Sequence, residues 1–120
     1  IVGVGSLGGA LMQDSGLGQY GLEIVAGFDV NPAVAGTLRH GLPVYNISEL
    51  KERCQMLHAG IGIVTVPVEH AQATADRLIE AGVKAIWNFT PYRICVPDGI
   101  VISNTSIYAH LAVMYNRMHS

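Results

Sequence analysis

Ile1-Val2-Gly3-Val4-Gly5-Ser6-Leu7-Gly8 is a short apolar strand running straight into a G-x-G-x-x-G turn. A second apolar run, Leu22-Glu23-Ile24-Val25-Ala26-Gly27-Phe28-Asp29, ends on an acid 21 residues after Gly8. That is the interval at which a dinucleotide-binding fold places the carboxylate for an adenosine ribose. A glycine triplet alone is weak evidence. A triplet between strand and helix, with an acid at the end of the next strand, is specific.

Each glycine has its own physical task. Gly3 lets the strand break into a tight turn, because it tolerates backbone angles that a Cβ forbids. Gly5 has no side chain to keep a pyrophosphate from the main chain, and Ser6 and Leu7 open the following helix with exposed amides. Gly8 lies one turn into that helix, where a side chain would hold helix and strand apart. Asp29 is placed to accept hydrogen bonds from the two hydroxyls of a ribose, whereas a 2′-phosphate would face an anion. Val30, Asn31, Pro32 and Ala33 follow it, so no arginine stands close by in sequence, which favours NAD(H) over NADP(H). Asp29 as a helix N-cap is the competing reading, but Asn31 is better placed to cap a helix starting near Pro32.

The 120 residues make one domain. Half are hydrophobic and 13% are charged, so many positions are expected to be covered by protein. A net charge of −2 gives no electrostatic case for nucleic-acid binding by these residues themselves. The apolar runs are short and β-like, none reaching the roughly 18 residues of a membrane span, and no signal peptide is expected. Cys54 and Cys95 lie 41 residues apart without metal-ligand spacing, which fits a reducing cytoplasm. The five histidines form no ligand cluster, so no metal is expected. Ile1 already sits inside a strand, and the chain reads as a piece whose upstream part is missing.

Strand and helix alternate throughout, the signature of an α/β doubly wound parallel sheet of Rossmann type. Strands are expected at 1–4, 22–29, 41–45, 62–66, 85–89 and 100–102. Helices are expected at about 6–14, 32–38, 48–57, 68–81 and 106–118, with Gly82 placed to end the fourth. Ligands bind such sheets outside the carboxyl ends of the strands. Those ends are the Gly3–Gly8 turn, Asp29-Val30, Thr65-Val66-Pro67 and Asn88-Phe89-Thr90-Pro91. Thr65, Asn88 and Thr90 become candidate polar contacts, with Val66, Pro67 and Pro91 as apolar walls. Each has a plainer reading as a cap or a strand stop. The last helix carries Ile107, Leu111, Met114 and Met118 on one stripe, widened by Tyr108, Ala112 and Tyr115. So broad an apolar face calls for a partner subunit, unless it folds back onto its own domain.

Val64-Thr65-Val66-Pro67, the stretch Ala75–Gly82, Asn88-Phe89-Thr90-Pro91 and Val96-Pro97 together resemble the NADH-binding domain of the Rex family of bacterial redox-sensing transcriptional repressors. Phe28-Asp29-Val30-Asn31-Pro32 and Gly41-Leu42-Pro43-Val44-Tyr45 match as well, and the resemblance covers essentially the whole chain. It implies a homodimer that exchanges its C-terminal helix, here 106–118, so that residues 1–104 form the Rossmann domain and 105–120 the dimerisation helix. It implies an N-terminal winged-helix domain that carries DNA binding, missing from this chain, and release of the operator when NADH changes the angle between subunits. The chain leaves the family pattern at two positions. Rex helix A ends with a tyrosine near the nicotinamide, which pairs with an aspartate at the start of the partner's exchanged helix. Here those positions fall on Asp14 and Ser106.

Two rival readings remain. A cofactor domain of an NAD-dependent dehydrogenase needs a positioned acid or base. No tyrosine is followed four residues later by lysine, and neither Lys51 nor Lys84 falls at a strand's carboxyl end, so no enzyme activity is expected. A CoA-binding domain of the acyl-CoA synthetase type shares the topology, and Asp29 argues against it by favouring a ribose diol.

Overall fold

Val2 joins two halves of one sheet. In the computed structural model, which describes residues 1–13 and 21–104, Val2 bridges Phe28 on one side and Val64 on the other, both in parallel. The Val2 amide donates to Ile63 O at 2.8 Å and the Thr65 amide donates to Val2 O at 3.0 Å. The expected strand over 1–4 is thus shortened to a central bridge, because the backbone turns at Gly3 (φ +95°).

On one side of Val2 lies β1 (Gly27–Asp29), then β3 (Leu42–Asn46), then the antiparallel β2 (Leu38–Arg39). On the other side lie β4 (Ile61–Val64), β5 (Ala85–Asn88) and β6 (Val101–Asn104), all parallel. Reading outward from Val2, this is the strand order of a doubly wound nucleotide-binding sheet, with its crevice beside the first strand. The helices are α1 (Ser6–Gln13), α2 (Leu50–Leu57) and α3 (Ala71–Glu80). None of the described helices is long and apolar enough to cross a membrane.

Alternation along the strands sends side chains to two apolar layers. Val2, Phe28, Val64 and Ile86 pack with Leu50 and Cys54 of α2 and Ala71, Ala75 and Leu78 of α3. Val44 packs on the opposite face with Val4 and with Met12 of α1. Cys54 belongs to the first layer, and burial pushes its thiol up from the ordinary value, whereas Cys95 is exposed. The end of α3 closes in a hydrogen-bonded cap: the Gly82 amide donates to Ile79 O and the Val83 amide to Leu78 O. Gly82 therefore stands where the sequence pattern put the helix stop.

Four further expected elements differ. The strand over 22–29 is limited to Gly27–Asp29. No helix forms over 32–38: Asn31 caps a single turn, its Oδ1 accepting from the Ala33 amide, and the chain then swings so that the Gly36 amide donates to Val44 O. Leu38 and Arg39 then pair with Leu42 and Pro43 across His40 and Gly41, whose φ values of 52° and 80° make the primed two-residue turn of a hairpin. The helices expected at 48–57 and 68–81 each open on a 3-10 turn, at Ile47–Glu49 and Val68–His70. Asp14 and the expected helix over 106–118 lie outside the described residues.

Candidate functional site

The carboxyl ends of β1, of the Val2 bridge, of β4 and of β5 meet around one cavity of about 680 Å³. Its lining includes Gly3, Gly5, Asp29, Val30, Thr65, Val66, Pro67, Phe89, Thr90 and Pro91 from the residues that sequence singled out. Volume and a mainly apolar wall with a few convergent polar groups suit a site for a nucleotide-sized ligand.

The glycine turn is built by exclusion of side chains. A Cβ on Gly8 would collide with Gly3 O, so helix α1 seats directly on the turn. A Cβ on Gly3 would come within 2.9 Å of the Thr65 carbonyl, which presses strand β4's end against the turn. Gly5 is different: no atom lies within 4 Å of where its Cβ would be, and that open space belongs to the cavity. The Gly9 amide donates to Gly5 O at 2.8 Å, so Gly5 is the residue on which α1 starts. The first amides of a helix have no partner within it, and their dipole favours an anion. Ser6, Leu7 and Gly8 belong to that first turn, and Gly8 itself is not part of the cavity lining.

Asp29 holds the turn as well as facing the cavity. Its Oδ2 accepts from the Val4 amide at 2.8 Å and its Oδ1 from the Asn31 amide at 2.9 Å. A carboxylate has about four acceptor sites, so two remain for a ligand's hydroxyls. Thr65 stitches the turn: its Oγ1 shares one proton between Gly3 O at 2.5 Å and Val2 O at 3.0 Å. Its hydroxyl is therefore committed to the loop before any ligand arrives.

Asn88 is turned away from the cavity and has no hydrogen-bonding capacity left for a ligand. Its Nδ2 donates to Tyr92 O at 2.5 Å and to Asn104 Oδ1 at 2.8 Å, and its Oδ1 accepts from the Thr90 amide and hydroxyl. Asn104 also accepts from the Ile94 amide and donates to Ile94 O. The network shapes the loop that presents Phe89, Thr90 and Pro91 to the cavity, so the expected contact becomes a supporting role. Nothing in the sequence marked Asn104 as its partner, since the two meet only through the β5–β6 register.

Sequence reasoning also missed the far wall, formed by Ile47, His70, Ala73, Thr74 and Arg77. The absence of an arginine just after Asp29 holds along the chain but not in space. The crossover through α3 brings Arg77 into the same cavity, and its Nη2 donates to Ile47 O at 3.2 Å. The available signal was helical periodicity: Ala73 and Arg77 lie four apart, on one side of α3, with Ala71, Ala75 and Leu78 in the core.

A family model described as CoA binding domain matches residues 1–92. A redox-sensing transcriptional repressor Rex of Porphyromonas gingivalis is 60% identical over 120 residues, covering 100% of this chain and 55% of that protein. The Rex of Bacteroides fragilis is 54% identical over 119 residues, covering 99% of this chain and 54% of its own. Among solved structures, RSP, a Rex-family repressor, in complex with beta-NADH is similar with a TM-score of 0.88 at 32% identity, over 98% of this chain and 56% of that one. RSP in complex with beta-NAD+ and operator DNA gives a TM-score of 0.89 at the same identity, over 98% and 54%. The chain spans about half the length of the curated relatives it matches.

Proposed function

Because this chain belongs to the CoA binding domain family and, within it, to the Rex family, we propose that it is the NAD(H)-binding sensor domain of a redox-responsive DNA-binding repressor. The observation that carries the reading is the pairing of Gly5 with Asp29 on one cavity. Open space over Gly5 at the start of α1 receives a pyrophosphate, and the free acceptor sites of Asp29 receive a ribose diol. RSP, similar over nearly all of this chain, is named in complex with both redox forms of the nucleotide and with operator DNA.

In this reading the domain is no enzyme, and DNA is bound by a part of the parent protein outside these residues, in the cytoplasm. The nucleotide works by shifting the equilibrium between two arrangements of a homodimer, to the extent that it binds one better than the other. The dimer is held by residues 106–118, with 1–104 as the nucleotide domain. Support comes from the sheet face opposite α3. A Cβ on Gly62 would meet Leu78 of α3, so its neighbours on the other face, Ile61 and Ile63, point away from that helix. Ile61 and Val101, in register through Ala85, leave that face apolar and exposed at 46% and 67%.

The family model's description also favours a second reading, a CoA-binding domain. CoA carries a phosphate on its adenosine ribose, and Asp29 would repel it there. Calorimetric titration with NADH, NAD+, NADPH and CoA separates the two. NADH is expected to bind more tightly than NADPH or CoA, and Asp29→Ala to lose about 1–3 kcal/mol of NADH affinity. CoA binding above NADH, or an Asp29→Ala chain with unchanged NADH affinity, would overturn the assignment. With Asp14 and Ser106 in place of the family's tyrosine and aspartate, discrimination between NADH and NAD+ should be weaker than in other Rex proteins, because a carboxylate near the nicotinamide favours the cationic ring.

A further inference from the structure

We infer that Arg77 is the clamp on the nucleotide's adenine ring and sets how much of the affinity comes from the adenosine half. The inference rests on the NAD(H) reading above and deepens it. Asp29 and Asn46 are register partners between β1 and β3, and Ile47 is the next residue after Asn46. Since the sheet runs β3, β1, Val2, Ile47 stands beyond Asp29 from the glycine turn. A pyrophosphate over the turn and a ribose on Asp29 therefore leave the base directed toward Ile47.

That is where α3 delivers a planar cation. The Arg77 guanidinium is pinned through one nitrogen to Ile47 O at 3.2 Å, and it lines the cavity together with Asp29 and Val30. Among the described residues no carboxylate pairs with it. Val30, 69% exposed at the same mouth, offers an apolar surface whose exposure has no structural use in the fold. A purine entering between them meets a guanidinium plane on one side and an aliphatic side chain on the other. Nucleobases stack well on guanidinium planes, and lysine does not reproduce this because its ammonium is a point charge.

The test compares the chain with Arg77→Ala and Arg77→Lys, by calorimetry, on NADH, ADP-ribose, reduced nicotinamide mononucleotide and NADPH. Arg77→Ala should weaken NADH and ADP-ribose by the same factor, about three- to thirty-fold, and leave the mononucleotide, which has no adenine, unchanged. Arg77→Lys should recover little of the loss. An equal loss on the mononucleotide would make Arg77 a tie between α3 and the loop after β3, and overturn the clamp. So would unchanged NADH affinity, or a loss confined to NADPH, which would mark a phosphate anchor. If the unaltered chain binds no NADH, the reading of the site itself falls, and the clamp with it.

Discussion

Gly5 and Gly8 lie three residues apart and should respond in opposite ways to an added side chain. Gly5 faces open cavity, so Gly5→Val is expected to abolish NADH binding while lowering stability by no more than about 1 kcal/mol, the scale of a poorer helix cap. Gly8 sits against Gly3 O, so Gly8→Ala should destabilise the fold by about 1–3 kcal/mol through overpacking. Urea unfolding beside NADH titration separates the two outcomes. A Gly5→Val chain that unfolds would make that glycine structural. At this scale the sequence was legible where backbone geometry decides, because a Cβ is either tolerated or not. It was not legible for Thr65 and Asn88. Whether a polar side chain at a strand end turns to a ligand or to a neighbouring carbonyl depends on contacts 62 and 16 residues away.

Among the elements, the β5–β6 pair and the loop that joins its strands depend on the two asparagines. Asn88→Ala would leave the buried Thr90 amide without its side-chain partner, the Tyr92 carbonyl with only the Thr90 hydroxyl at 3.4 Å, and Asn104 without its side-chain link to β5. A loss of about 2–4 kcal/mol is expected in urea unfolding, from the desolvation left uncompensated at those groups. A loss below about 0.5 kcal/mol would show that water or neighbouring groups replace the amide and that the network is dispensable. The alternation of strand and helix was legible because apolar periodicity changes from two to 3.6 along the chain. The helix expected over 32–38 failed because Asn31 and Gly36 confine that stretch to one turn, while His40-Gly41 supplies a hairpin signal weaker than Asn-Gly. A pattern of caps without a long apolar stripe marks a turn as readily as a helix.

For the molecule as a whole, the proposed dimer rests on the exposed apolar sheet face together with the apolar residues the sequence carries over 107–118. Sedimentation should give twice the 12.8 kDa chain mass, and removal of residues from Thr105 onward should give a monomer or an aggregating protein. A monomer with those residues intact would refute the exchange. The central claim concerns the cavity at the strand ends, and amide chemical-shift mapping of the isotope-labelled chain with NADH tests it most directly. Shifts should concentrate on residues 3–8, on Asp29-Val30 and on Phe89 and Thr90, and leave the His40-Gly41 hairpin unmoved. Shifts absent from the glycine turn, or larger with CoA than with NADH at the same residues, would contradict the account.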